Sequence, residues 1–293
     1  MPGALTSKNY QVRQNPRAGQ DQSVGRAFKE SRRVEILQEF DRAGTHAARR
    51  TAGALVTEYN VGMDSAPIID PARLADPHTR VASEPFAFVI AESQLPATAR
   101  EALKDDFPRY SGAGFFPYAP EDCGPSVNRL VEEITAPAFA DALGARLGIP
   151  DLGKYPTLVT ICRALNKRHG TIHTDSKSKV ATALLYLNES WPDTSDGCFR
   201  FLNRIDDIDD LAAPEIRPLY GVLAAFRRSD NSFHGHLPYE GERRVIQVAW
   251  LTSEDEKLRK TQRGRLSRLF KKLFGGIDRK LGAGRDRNAA HRD

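Results

Sequence analysis

The sequence has no long apolar run and few cysteines. No run reaches the roughly 18 apolar residues that a membrane-spanning helix needs. Residues 1–23 have no apolar core like that of a secretory signal. The three cysteines, Cys123, Cys162 and Cys198, are widely spaced and odd in number, which argues against a disulfide framework. We therefore expect a soluble, cytoplasmic chain in a reducing compartment.

The residues that are present divide the chain into three parts. Residues 1–83 are expected to be an N-terminal extension, disordered at first and helical from about residue 25. Residues 84–252 combine helical patterns with short β-branched runs such as TLVTICRAL, VATALLYLN and RRVIQVAWL. Short strands at this spacing indicate a sandwich or barrel with helices packed outside. The predicted fold class is therefore mainly β with flanking helices, a double-stranded β-helix or jelly roll.

Residues 253–293 are predicted to form a basic amphipathic tail. They contain 13 Lys and Arg residues against 6 Asp and Glu residues. Apolar residues in this tail recur at helical spacing, which places them on one stripe opposite a basic face. They are Leu266, Leu269, Phe270, Leu273, Phe274 and Ile277. Three interpretations stay open, namely packing on the chain's own domain, an anionic membrane surface, and nucleic acid or another acidic partner.

His173 and Asp175 stand two residues apart, just before an apolar, strand-like run. Alternate residues of a strand point to the same side, so these two side chains can bind neighbouring positions of one metal ion. A third ligand should come from a segment distant in sequence, and His234 and His236 are the candidates. Two imidazoles and one carboxylate make up the facial triad of non-haem Fe(II) oxygenases. Without further support, the same pair would be read as exposed or hydrogen-bonded to each other.

Arg244 follows His234 by ten residues and begins a strand-like run. It shares one face of that strand with three apolar residues. They are Ile246, Val248 and Trp250. An arginine on a buried face is costly unless an anion meets it, and its planar fork matches a carboxylate. A metal with such an arginine predicts a ligand shaped like 2-oxoglutarate. The alternative for Arg244 is a surface salt bridge with Glu240 or Glu242.

These motifs together resemble the prolyl 4-hydroxylase-like branch of the Fe(II)/2-oxoglutarate-dependent dioxygenases. The resemblance is carried by HTD, KVATALLYLNESW, DGCFRFL and SFHGHLPYEGERRVIQVAWL, and it extends over about residues 84–252. It implies a jelly-roll fold with iron ligands at His173, Asp175 and His234. It further implies that Arg244 anchors 2-oxoglutarate and that the hydroxyl of Tyr186 reaches the same carboxylate.

Two positions depart from the family pattern. Cys198 stands where a second glycine is common. Arg163 stands where some relatives have a tyrosine that contacts the co-substrate, so contact with 2-oxoglutarate and contact with the substrate both stay open for it. His236 is left as a residue near the metal or an exposed one.

The resemblance implies an Fe(II)- and 2-oxoglutarate-dependent dioxygenase, most simply a hydroxylase of a small molecule or a peptidyl residue. Its cofactors would be Fe(II) and 2-oxoglutarate, with ascorbate as a candidate reductant. Its partners would be O₂ and an organic substrate that the sequence does not identify, and the oligomeric state is open. Two other functions compete with it, a non-catalytic jelly-roll protein that only keeps a metal and a nucleic-acid demethylase of the same chemistry.

Overall fold

In the computed structural model, which describes residues 66–262, a large antiparallel sheet faces a small one. The large sheet has seven strands in the order β1-β2-β7-β5-β9-β4-β3, and the small one pairs β6 with β8. The strands are β1 (Arg80–Ala82), β2 (Phe88–Ala91), β3 (Phe115–Pro117), β4 (Thr157–Leu165), β5 (Lys179–Tyr186), β6 (Phe199–Phe201), β7 (Leu223–Arg227), β8 (His234–His236) and β9 (Gly241–Leu251).

The large sheet is buried on both of its faces. Its outer face packs against helices in a cluster that includes Ile246, Val248 and Trp250. Its inner face packs against the small sheet in a second cluster, which includes Tyr186, Phe226 and Val245. Neighbouring residues of one strand therefore join different clusters, because side chains alternate between the faces. The central strand β5 is accordingly buried at every position from residue 181 to 186, as a strand covered on two sides requires.

Three α-helices lie between residues 66 and 253: α1 (Arg100–Asp105), α2 (Pro125–Thr135) and α3 (Pro137–Leu147). Proline at the first position starts both α2 and α3, where its missing N–H costs nothing. Gly148 ends α3 in the left-handed conformation, with φ of 66°, which favours glycine. Residues 254–262 are also helical. No helix between residues 66 and 262 is long and apolar enough to cross a membrane.

The arrangement confirms the predicted fold class, mostly antiparallel β structure with flanking helices in a jelly roll. Strands β1 and β3 escaped the sequence analysis, since each has only three residues. Strand β1 pairs with β2, so the sheet begins before the predicted boundary at residue 84. The predicted helices within 25–57 and the amphipathic stripe of 266–277 lie outside the described residues.

Candidate active site

His173 and His234 are joined through their backbones at the open edge of the small sheet. Each residue's N–H donates to the other's carbonyl oxygen at 3.0 Å, which makes an isolated antiparallel bridge. Their ring centroids lie 4.4 Å apart. The segment around His173, predicted as a strand, contributes only this bridge, and that is enough to bring the two imidazoles together.

Asp175 completes a cluster with these two histidines. One ligand atom from each of His173, Asp175 and His234 lies within 4.8 Å of the others. Among residues 66–262 this is the sole group of three or more His, Cys, Asp or Glu residues with such geometry. Three donors this close are within reach of a single ion, and the group contains His234 rather than His236.

Backbone carbonyls fix the orientation of both imidazoles. Nδ1 of His173 lies 2.9 Å from the carbonyl oxygen of Thr171, and Nδ1 of His234 lies 2.9 Å from that of Ser232. A carbonyl only accepts, so we assign the proton to Nδ1 in each ring. Nε2 then keeps its lone pair for a metal, an arrangement typical of metal-binding histidines.

The Asp175 carboxylate is held by two side chains. The Lys179 ammonium donates to Oδ1 at 2.7 Å, and the Thr182 hydroxyl donates to Oδ2 at 2.5 Å. Burial raises the pKa of Asp175, but the nearby Lys179 and these hydrogen bonds outweigh it and hold the pKa well below its usual range. The carboxyl group is therefore ionised at neutral pH, as binding of a cation requires.

The charge state of His234 also suits a ligand. The residue is 5% exposed, and the rings of Phe226 and Phe199 lie 4.4 and 5.6 Å from its own. Burial lowers the pKa of His234 to about 3, with the neighbouring His173 acting in the same direction. The imidazole is neutral at physiological pH. Two imidazoles and one carboxylate fit ferrous iron and leave further coordination positions open.

Arg243 is the functional candidate that the sequence analysis missed. Its side chain lies on the inner face of β9 and is 2% exposed. Its Nε donates to the carbonyl oxygen of Gly197 at 2.9 Å, and its Nη2 donates to the hydroxyl of Tyr186 at 3.2 Å. No acidic side chain between residues 66 and 262 forms an ion pair with it. A buried guanidinium without a carboxylate indicates a place for an anion.

Tyr186 lies beside Arg243 on the inner face. The guanidinium carbon of Arg243 is 5.0 Å from the centre of the tyrosine ring. Burial raises the pKa of Tyr186 to about 12, against the opposing effect of the arginine, so the hydroxyl stays protonated. Its oxygen accepts from Arg243, which leaves its proton for an acceptor on a ligand.

Arg244, predicted to anchor the co-substrate, and Arg163, a candidate for contact with the co-substrate or the substrate, lie on the other side of the sheet. The guanidinium of Arg244 forms an ion pair with Glu242 and stands 5.7 Å from the ring centre of Phe107, a residue of the outer cluster. Arg163 approaches the same carboxylate, with Nε 4.0 Å from Oε1. The structure therefore does not bring either arginine to the triad, and the pairing of Arg244 with Glu242 is the alternative left open above.

His236 lies on β8 two residues after His234. Its Nδ1 is 2.7 Å from the carbonyl oxygen of Leu237. Burial, together with the positive charge of Arg243, lowers the pKa of His236 to about 4. A neutral His236 thus lies within the electrostatic influence of Arg243, outside the three-residue cluster.

Part of the chain matches a known protein family. Residues 159–252 match the family model of the 2OG-Fe(II) oxygenase superfamily. This segment runs from within β4 to the residue after β9 and contains the three clustered residues together with Tyr186 and Arg243. The match supports the predicted superfamily and covers about a third of the chain. No curated relative matches the sequence.

Several solved structures are similar to part of this chain. One is a prolyl-4-hydroxylase from Pseudomonas putida, 18% identical, covering 57% of this chain and 92% of its own, with a TM-score of 0.43. Another is a prolyl hydroxylase from Trichoplax adhaerens in complex with a hypoxia inducible factor peptide fragment. It is 15% identical and covers 58% of this chain and 86% of its own, with a TM-score of 0.39. A third is HygX from Streptomyces hygroscopicus with nickel and 2-oxoglutarate bound. It is 12% identical and covers 56% of this chain and 82% of its own, with a TM-score of 0.40. Likenesses this distant do not bear on what this chain acts on.

Proposed function

We propose that the chain is an Fe(II)- and 2-oxoglutarate-dependent dioxygenase that hydroxylates an organic substrate. The observation that carries the proposal is the joint presence of the His173, Asp175 and His234 cluster and the unpaired Arg243 on the inner face of the jelly roll. When bound, ferrous iron and 2-oxoglutarate would supply oxidation of a C–H bond by O₂, with succinate and CO₂ as the other products. The substrate is left open.

In this proposal three side chains of the cluster hold the metal. His173 and His234 would bind it through Nε2, because their Nδ1 atoms are engaged with backbone carbonyls. Asp175 would bind through its carboxylate, which Thr182 and Lys179 hold in place. The rings of Phe199 and Phe226 pack on the imidazole of His234 and restrict water around it, which strengthens electrostatic interactions at the site.

We assign the anchor of 2-oxoglutarate to Arg243 in place of Arg244. The Nη1 of Arg243 has no hydrogen-bond partner within residues 66–262, and the Tyr186 proton lacks an acceptor there as well. Together they offer a charged donor and a neutral donor to one carboxylate. Arg244 forms an ion pair with Glu242 on the outer face of the sheet. Arg163 stays without an assigned role at the metal.

The test of the activity is anaerobic reconstitution with Fe(II), followed by 2-oxoglutarate and then O₂. The proposal expects an absorption band when 2-oxoglutarate binds the iron-loaded protein, and succinate release after O₂ is admitted. His234→Ala should show neither. Iron binding without any succinate formation, across a panel of amino-acid, peptide and nucleic-acid substrates, would instead favour a non-catalytic metal-binding protein.

A nucleic-acid demethylase would depend on the basic tail for binding. Deletion of residues 263–293 should then abolish activity on a methylated oligonucleotide, whereas hydroxylation of a small molecule should survive it. Residues 263–293 lie outside the described structure, so a membrane or an acidic partner for this segment stays a prediction from its charge and spacing.

A further inference from the structure

A basic pocket lies on the outer face of the large sheet, on the side opposite the cluster of His173, Asp175 and His234. It encloses about 250 Å³ between the end of α1 and strands β4 and β9. Six residues line it: Lys104, Asp105, Phe107, Arg109, Arg163 and Arg244. Four of these side chains are cationic and one is anionic, so the interior of the pocket is positively charged.

The carboxylates nearby do not neutralise this charge within the pocket. Glu242 is half-exposed and serves two guanidinium groups at once, those of Arg244 and, at 4.0 Å, Arg163. Lys104 pairs with Glu189 at 3.0 Å and with Glu101 at 3.5 Å, two carboxylates that do not line the pocket. Arg109 has no ion-pair partner between residues 66 and 262. Two cationic groups share one carboxylate, and a third has none.

Arg244 is the donor best placed to bind a ligand here. Its side chain is 16% exposed and packs over the ring of Phe107. Nε is engaged with Glu242, and Nη1 lies 3.5 Å from the carbonyl oxygen of Lys104, at the limit of a hydrogen bond. Nη2 has no partner within the described residues. A half-buried guanidinium with an unused donor is stabilised when an anion binds it.

Arg163 lies opposite a bulge in strand β9. Between the pairs Cys162–Val245 and Ala164–Glu242, β4 has one residue, Arg163, and β9 has two, Arg243 and Arg244. Such a bulge re-aims side chains at the cost of local pairing. The guanidinium groups of Arg163 and Arg244 both line the pocket, and the single carboxylate of Glu242 lies within ion-pair distance of both.

We propose that this pocket binds a small oxyanion, the carboxylate or phosphate group of a metabolite, at a site separate from the metal. Planar guanidinium groups bind both kinds of oxyanion through paired hydrogen bonds. The ring of Phe107 supplies an apolar floor for the remainder of the molecule. A volume of about 250 Å³ equals roughly eight water molecules at about 30 Å³ each, which is enough for a small metabolite.

The experiment is isothermal titration calorimetry of the full-length chain at constant ionic strength. Inorganic phosphate and succinate are titrated separately, which distinguishes a phosphate site from a carboxylate site. The background variant is Arg243→Gln, which removes the anchor proposed on the inner face and so prevents succinate from binding there. Saturable binding of at least one anion is expected in this background.

Added to that background, Arg244→Gln should weaken anion binding by about tenfold or more, because a hydrogen bond to a charged group is lost. Arg163→Gln should act in the same direction, and so should Arg109→Gln, an exposed position where misfolding is not expected. Arg217→Gln is the matched control, since Arg217 is an exposed arginine paired with Asp193 and does not line the pocket.

Two results would overturn the proposal. One is the absence of saturable binding of either anion. The other is binding by the wild-type protein that is lost in the Arg243→Gln single variant but unchanged in the Arg244→Gln and Arg109→Gln single variants, since the anion would then bind on the inner face. Because iron-dependent succinate release is measured separately, failure of the pocket proposal would leave the proposed dioxygenase activity untouched.

Discussion

The neighbouring residues Arg243 and Arg244 have opposite surroundings. Arg243 is buried on the inner face of β9, bonded to Tyr186 and without a carboxylate partner. Arg244 lies on the outer face, paired with Glu242 and packed over Phe107. One residue of displacement along a strand thus separates a guanidinium that contacts Tyr186 on the inner face from one in a pocket of the outer face.

This contrast shows why apolar alternation alone does not locate a site. The sequence correctly groups Arg244 with Ile246, Val248 and Trp250 on one face. That face is buried, but under helices rather than under the small sheet. When both faces of a sheet are covered, a buried face is not necessarily the one that carries the chemistry.

The largest effect should come from removing a proposed metal ligand on the inner side. We expect His234→Ala and Asp175→Ala to abolish Fe(II) binding, because two donors do not hold ferrous iron as three do. Anaerobic calorimetry with Fe(II) measures the affinity for iron, and His236→Ala serves as the control that should still bind iron. Retention of iron by His234→Ala together with its loss in His236→Ala would transfer the third ligand to His236.

The next largest effect is expected when Arg243 is replaced, and the same substitution of Arg244 provides a direct comparison. Arg243→Gln should raise the Kd of 2-oxoglutarate for the iron-loaded protein by about 100-fold, because a buried charge-assisted contact is lost. Arg244→Gln should change this Kd by less than about twofold, since its charge is directed to the other face. Anaerobic titration of the absorption band measures both, and the reverse order of effects would restore Arg244 as the anchor.

Tyr186→Phe should have a smaller effect in the same titration. Loss of a neutral hydroxyl should raise the Kd of 2-oxoglutarate by about fivefold, while the iron content stays that of the wild type. An effect as large as that of Arg243→Gln would mean that the hydroxyl acts mainly by holding the guanidinium in place. Arg243→Lys tests this directly, since it keeps the charge but loses the fork.

The smallest effect on 2-oxoglutarate binding is expected from a substitution in the apolar cluster on the outer face. Ile246→Val should destabilise the fold by about 1 kcal/mol, as removal of one buried methylene commonly does, and should leave 2-oxoglutarate affinity unchanged. Urea unfolding measures the first and the anaerobic titration the second. A weakened affinity in this variant would show that packing under the helices is coupled to the inner face.

Much of the fold and part of the site could be predicted from the sequence. The long strands β4, β5 and β9 were predictable because their β-branched runs are bounded by turn residues. The three-residue strands β1 and β3 were not, because so few residues carry no periodic signal. The approach of His173 to His234 required the superfamily's motif order, since nothing local predicts a contact between segments 61 residues apart.

The anchor could not be located from the sequence because the Arg243–Arg244 pair presents one arginine to each face. Only the partners across the strand decide between them. Tyr186 pairs with Val245 in the β5–β9 ladder, and both belong to the inner cluster. Arg243, two residues before Val245, therefore points inward. The charge of the whole tail is readable, but what it contacts is not.

The reciprocal backbone bonds between His173 and His234 have a consequence for the protein before metal enters. They hold two of the three donors together without help from an ion, so capture of iron should require little rearrangement of the chain. The amide hydrogens of these two residues should accordingly exchange slowly with deuterium even in metal-free protein.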